Sequence, residues 1–281
     1  MSNPRAERVR AVRALAGRSA RRRSGRFLVE GPQGVRELVH HRVALAREVY
    51  MTLEAQSRYV EIDRASRAAG VGVRTVTDEV MTAMSGDAQG VLAVADLAAV
   101  ELTDLRRAGL VAVLANVRDP GNAGAVVRAA DAAGADAVVV AGDSVDVHNP
   151  KVVRSTAGSM FHVPVVTGAT VPQVLDHLAA GGLQLLAADG GGEHDLDDLQ
   201  SGAERGQGPS LAAPTAWVFG NEAWGLTPED RDRCDAAVRV PIHGLAESLN
   251  LATAAVLCLY ASARCRRAVR HRCERPADLR P

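Results

Sequence analysis

Three short stretches of this chain bring together polar residues, glycines and helix-start signals of a kind that could hold a ligand. The first is Pro241–Asn250, reading PIHGLAESLN, with the apolar run LATAAVLCLY behind it. A strand rich in small apolar residues ends at Val240, the chain turns around Gly244, and Ser248-Leu249-Asn250 opens a helix. Ser and Asn are favoured helix caps, and a helix start leaves backbone N–H groups unpaired and available to a ligand. A capped core helix would read the same way, so this stretch alone does not choose. The second stretch is VFGNEAWGLTPE (Val218–Glu229), and the third is LANVRDPGNAGAVVRAADAAGADAVVV (Leu114–Val140). Its turn, Asp119-Pro120-Gly121-Asn122-Ala123-Gly124, sets glycines three apart, so the G-x-G-x-x-G fingerprint of dinucleotide binding is missing.

In their order and spacing the three stretches resemble the motifs of the SpoU (TrmH-type) branch of the SPOUT RNA ribose 2′-O-methyltransferases. The Asn and Arg of the first family motif are matched by Asn122 and Arg128, and the Gly-x-Glu with a further Gly by Gly220, Glu222 and Gly225. The Pro turn leading to Ser-Leu-Asn is matched by Pro241, Ser248, Leu249 and Asn250. The resemblance implies an S-adenosylmethionine-dependent RNA 2′-O-ribose methyltransferase with a trefoil-knotted, mostly parallel α/β catalytic domain. It further implies a homodimer, since the family builds its site between paired knots. Asn122, Arg128, Glu222, Ser248 and Asn250 are then the catalytic candidates. The cofactor pocket falls to the turns carrying Gly220, Asn221, Val240, Pro241, Ile242, Ser248, Leu249 and Leu251, with Leu186–Ala188 beside it. Val240-Pro241-Ile242-His243-Gly244 departs from the commoner Pro-Met-Gly turn, which bears on adenine contacts. Arginine stays protonated in proteins, so a bidentate clamp on phosphate and hydroxyl is the physically easier role for Arg128, its protonation role being left open.

The stretches FLVEGPQGVREL and AQGVLAVADL resemble the small L30e-like substrate-binding domain attached to many SpoU enzymes. Residues 1–100 are expected to form this α/β RNA-binding domain with its basic arm, 108–267 the methyltransferase domain, and 268–281 a basic tail. Ribosomal RNA, and 23S RNA in particular, is favoured over tRNA. A non-catalytic RNA-binding ribosome factor of the same fold and a Rossmann-type nucleotide enzyme remain as alternatives.

Formal net charge is zero, but nine arginines precede Phe27 against one acid, Glu7, which is the electrostatic footprint of a phosphate-backbone binder. Arg21, Arg22 and Arg23 are the RNA-binding candidates in this arm. Arg154 stands between RNA phosphate and a structural salt bridge. The four cysteines show no C-x-x-C pair or zinc spacing and the histidines are scattered, so reduced thiols and no metal are expected. No apolar run reaches membrane-spanning length without a charge, and the Arg-rich start is unlike a signal peptide, so a soluble cytoplasmic protein is expected.

These residues must be positioned by alternating strands and helices. Residues 1–24 read as one basic helix with a frayed start, and Ala55–Ala69 as another ending at Gly70. Strands are expected at Val111–Ala115, Ala137–Ala141, Val163–Val166, Gln184–Ala188, Trp217–Gly220 and Ala236–Val240. Helices start near Gly121, Asn149, Val171, Thr227 and Ser248. Short apolar strands separated by helices argue a buried, mostly parallel sheet. Gly190–Gly208, rich in Gly and Asp without periodicity, reads as a mobile surface loop.

Overall fold

A computed structural model describes residues 1–105, 107–202 and 208–274. The chain divides into two compact units: Met1–Ala99 with Asp146–His162, and Val100–Val145 with Val163–Pro281.

In the first unit, α1 (Glu7–Ala14) and α2 (Arg18–Ser24) precede β1 (Arg26–Glu30) and α3 (Pro32–His41). Then come β2 (Ala46–Thr52), α4 (Leu53–Arg58), α5 (Val60–Ala68), β3 (Gly72–Val76), α6 (Asp78–Met84) and β4 (Val91–Asp96). The strands form one mixed sheet in the order β1-β4-β2-β3, antiparallel except between β2 and β3. Its two faces are covered by separate apolar clusters, one around Leu38, Ile62 and Phe161, the other around Leu28, Tyr50 and Leu92. The period-two alternation of the strands sends neighbouring residues to opposite faces.

Two helices expected whole are broken. The basic arm breaks at Leu15–Gly17 into α1, which buries Val9 and Val12, and α2, because Gly17 leaves helical geometry at φ −89° and ψ 135°. The expected Ala55–Ala69 helix is interrupted at Tyr59, which leaves helical geometry at φ −118° and ψ 55°.

The second unit is built on seven parallel strands. They are β5 (Leu110–Ala115), followed by α7 (Pro120–Ala133), then β6 (Ala137–Ala141). Chain belonging to the first unit intervenes, with α8 (Pro150–Ser155). The second unit resumes with β7 (Val165–Thr167), α9 (Val171–Ala180), β8 (Gln184–Ala188), β9 (His194–Asp195) and α10 (Leu196–Ser201). It ends with β10 (Thr215–Phe219), α11 (Pro228–Arg231), β11 (Ala236–Arg239) and the long α12 (Leu251–Glu274). Strand order is β7-β6-β5-β10-β8-β11-β9, every pair parallel. All of β5, β6 and β10 is buried, as a sheet covered on both faces requires. Helix starts are set by side-chain caps followed by proline at the first turn: Asp119 before Pro120, Asn149 before Pro150, Thr227 before Pro228.

The stretch read as a loop at Gly190–Gly208 instead holds β9 and α10. Asp195 caps α10 by accepting a hydrogen bond from the Asp197 N–H, and Leu196 anchors it at 3% exposure. One six-residue helix is too short to show a period. Residues 203–207 of that stretch, and 275–281 of the expected basic tail, lie outside the described residues. Among the described residues no helix is long and apolar enough to cross a membrane.

Candidate active site

The strands β10, β8 and β11 are neighbours and parallel, so their C-terminal ends and the loops that follow lie side by side. This is where open α/β sheets place ligands, since the turns there present free backbone groups. A cavity of about 510 Å³ opens at this edge. Phe219–Glu222 and Gly225 line it after β10, Ala188–Gly190 after β8, and Val238, Val240 and Ile242 around the end of β11. Glu247–Leu251 and Ala254 supply the remaining wall from the start of α12.

The three motifs are joined by a chain of hydrogen bonds. Glu222 accepts from the backbone N–H groups of Asp119 (3.0 Å) and Arg118 (3.2 Å) and from the Asn122 side-chain amide (3.2 Å). The Asn122 Oδ1 in turn accepts from Asn250 Nδ2 at 2.9 Å. Asn250 Oδ1 accepts from the N–H of Ala252 and so caps α12. The carboxylate of one motif thus fixes the amide of the second, which fixes the cap of the third. Burial pushes the Glu222 carboxyl up, but the backbone donors and the Asn122 amide outweigh it and hold it below the ordinary carboxylate range.

Asn122 is not the cap of α7. Asp119 holds that position, accepting from the Asn122 N–H at 2.7 Å, which leaves the Asn122 side chain free to bridge. Asn221 lines the cavity but turns its amide to the Asn116 carbonyl (2.7 Å), while its Oδ1 accepts from the Ala223 N–H. Asn221 and Gly225 close the turn with two backbone hydrogen bonds of 2.9 Å each. Gly220 packs directly on that turn: a Cβ there would lie 2.2 Å from the Gly225 carbonyl carbon. Its smallness serves the turn itself, and Gly225 supplies the positive φ of 70° that closes it.

Asn122, Glu222, Ser248 and Asn250 all lie on the cavity wall, as do Gly220, Asn221, Val240, Ile242, Leu249 and Leu251. Pro241 does not; it lines a separate groove with Val256, Leu257 and Tyr260 of α12. Arg128 also stands outside the wall. It is exposed on α7 and has no ion pair or hydrogen bond among the described residues. Glu222 thus holds the loop before α7.

Two RNA-contact candidates are engaged within the protein. Arg21 is 3% exposed and donates to the Leu15 and Ala16 carbonyls and to Asp146, so it holds the α1–α2 turn inside the first unit. Arg154 pairs with Glu30 and Asp87, the structural salt bridge of the two roles open to it. Arg22 and Arg23 remain exposed and, like Arg5, Arg10 and Arg13, form no ion pair among the described residues. The thiols of Cys234 and Cys258 are both pushed up to about 12 by burial, and burial raises Cys265 as well, which disfavours the thiolate at all three. Sequence spacing did not reveal that Glu37, His41 and His162 come together in the first unit, where Glu37 Oε2 lies 3.1 Å from His162 Nε2 and 3.3 Å from His41 Nε2. Only Glu37 and His41 have a readable helical spacing.

Comparison with known proteins agrees with this geometry. Residues 109–260 match the SpoU rRNA Methylase family, and residues 6–93 match an MRM3-like substrate binding domain. The 23S rRNA (uridine(2479)-2′-O)-methyltransferase of Streptomyces viridochromogenes is 31% identical, the match spanning 89% of this chain and 86% of that one. The 23S rRNA (guanosine(2553)-2′-O)-methyltransferase RlmP of Bacillus subtilis is 29% identical over 90% of this chain and 95% of its own. Among solved structures, the SpoU methyltransferase AviRb from Streptomyces viridochromogenes in complex with AdoMet superposes with a TM-score of 0.79. It is 32% identical, with 94% of this chain and 100% of that one covered. With its three motifs gathered on one cavity wall, this chain belongs to the SpoU rRNA methylase family.

Proposed function

We propose that this protein transfers the methyl group of S-adenosylmethionine to a ribose 2′-hydroxyl of 23S ribosomal RNA. The observation that carries the reading is the Glu222–Asn122–Asn250 relay, which locks three distant motifs into one wall of the cavity. The 23S substrates of the two similar enzymes support the choice of RNA; they are modified at different nucleotides, so the target position does not follow from them.

The residues present fit the cofactor. A cavity of about 510 Å³ is within the usual range for a ligand of that size, and its apolar side, Val240, Ile242, Leu249, Leu251 and Ala254, suits an adenine ring. Backbone groups of the turns at Gly220, Val240–Ile242 and Leu249–Leu251 would hold its polar edges. When bound, the cofactor supplies an electrophilic methyl on a sulfonium. Glu222, ionised and saturated by three donors, keeps the loop before α7 in place. Ser248, exposed on the cavity wall and without a hydrogen-bond partner among the described residues, is open to the acceptor side. Arg128 orients the acceptor by a bidentate clamp on phosphate and hydroxyl, stabilising the negative charge that develops as the hydroxyl loses its proton.

A homodimer and the family's trefoil knot belong to the same reading. In support of a dimer, α12 exposes Val256 and Leu257 at 40% and 42%, beside Pro241 in the apolar groove. Labelled methyl transfer to 23S transcript, 16S transcript and tRNA in parallel tests the proposal. Incorporation into 23S RNA alone is expected, and incorporation only into tRNA would overturn the substrate. Calorimetric titration should show binding of S-adenosylmethionine and none of NAD or ATP.

A further inference from the structure

The chain has two tryptophans, and they are used in opposite ways. Trp217, on β10, is wholly buried and its Nε1 donates to Ser262 Oγ at 2.9 Å. Trp224 is 54% exposed at the tip of the Asn221–Gly225 turn. That turn is rigid: two backbone hydrogen bonds close it, and the Asn221 side chain ties it to the Asn116 carbonyl. Residues on either side of Trp224, Asn221, Glu222 and Gly225, line the cavity. A braced backbone thus carries the indole at the cavity rim.

A second group meets it there. The Arg118 guanidinium carbon lies 5.4 Å from the Trp224 ring centroid, in cation–π range. Arg118 is itself held, its backbone N–H donating to Glu222 and its Nη2 to Asp143 at 2.5 Å. Both the arginine and Asp143 side chains are largely exposed, at 58% and 83%. A single exposed apolar residue is ordinary. A tryptophan on a braced turn at a cavity rim, with a guanidinium stacked on it, has the composition of a platform for an unpaired base. RNA sites present such bases splayed out, and proteins receive them on aromatic rings and arginine planes.

We propose that Trp224 and Arg118 form a stacking site for an unpaired nucleobase of the RNA beside the acceptor ribose. The site deepens the methyltransferase reading and rests on it. Stacking does not read base identity, because every base has a π-face. The platform would thus place the acceptor strand while other contacts choose the sequence.

Because Trp217 is buried, acrylamide quenching of tryptophan emission reports on Trp224. Wild-type protein should show a readily quenched component that becomes shielded when 23S transcript is added. Trp224→Phe should lack that component. In labelled methyl transfer to the same transcript, Trp224→Ala should raise KM about tenfold, the scale of one lost base–aromatic stack, with kcat within about twofold. Trp224→Phe should recover most of the loss, and Arg118→Ala should fall between. Cofactor affinity should be unchanged in all three. If wild type methylates the RNA while Trp224→Ala keeps a normal KM, the stacking site is wrong and the methyltransferase reading survives. If wild type transfers no methyl group to any RNA, the underlying reading fails first. Shielding of Trp224 in RNA-free protein, rising with protein concentration, would assign the ring to contact between copies of the chain and overturn the proposal.

Discussion

Glu222, Asn122 and Asn250 act as one unit, and their partners explain why spacing could name them but not connect them. The Asn122–Glu222 and Asn250–Asn122 hydrogen bonds span 100 and 128 residues. No local pattern encodes such pairs. Asn122→Ala should leave Glu222 and Asn250 each short of a partner and lower methyl transfer on the order of tenfold to a hundredfold, with the fold intact by circular dichroism. Arg128→Lys and Arg128→Ala should both lose on the order of a hundredfold or more, because an ammonium lacks the planar fork, while binding S-adenosylmethionine normally. Near-normal single-turnover rates in Arg128→Ala would remove it from the reaction. The Glu222 carboxyl is depressed below its ordinary value, so its stabilisation of the loop is present above the unfolded-state value and is lost as pH falls through the folded one. Cofactor affinity should therefore hold through the ordinary Glu range, about pH 4.3, and drop only on further acidification, where the depressed Glu222 carboxyl takes up its proton. Glu222→Gln should be weakened already at neutral pH and change little over that acid range. Gly220 carries a different lesson. Sequence alone suggests that a branched side chain there would probe the pocket, but Gly220→Val would strike the Gly225 backbone and spoil the turn, so it cannot report on cofactor approach alone.

At the scale of elements, β6 and β8 match the residues that patterning picks out, because each is a short continuous apolar run bounded by turn residues. The arm before β1 was less legible. Its arginines read alike in sequence, yet Arg21 is interior and Arg22 and Arg23 are exposed. The difference is made by the turn at Leu15–Gly17, whose carbonyls Arg21 satisfies, and by Asp146, 125 residues away. Arg21→Ala should cost about 3 kcal/mol in urea unfolding of the protein, the scale of breaking a buried ion pair from one side. Arg22→Ala and Arg23→Ala should stay within about 0.5 kcal/mol, as surface changes do. Equal effects at the three positions would mean that Arg21 does not hold the turn.

Across the whole molecule, the chain crosses between its two units at Asp146 and again after His162. Val153 and Phe161 of that inserted stretch belong to the first unit's core. A fragment beginning near Ala108 would keep this stretch without the residues it packs on, so it is a poor test of which unit binds RNA. Sequence reading placed the domain boundary between residues 100 and 108 because the insertion has the composition of any α/β segment. Neutralising exposed arginines in the intact chain is cleaner. Replacing Arg10, Arg13, Arg22 and Arg23 together by Gln should weaken RNA binding and make its salt dependence shallower, by up to about one unit of log–log slope per lost phosphate contact. Cofactor affinity should be unchanged, and an unaltered salt slope would exclude the arm from RNA contact. The central claim concerns the atom that receives the methyl group, and alkaline digestion of the labelled RNA reads it directly. A methylated 2′-oxygen blocks cleavage at its own linkage. With 23S transcript and labelled S-adenosylmethionine, the label should be recovered in an alkali-resistant dinucleotide. Label recovered in ordinary mononucleotides, on a base, would contradict ribose methylation by this cavity.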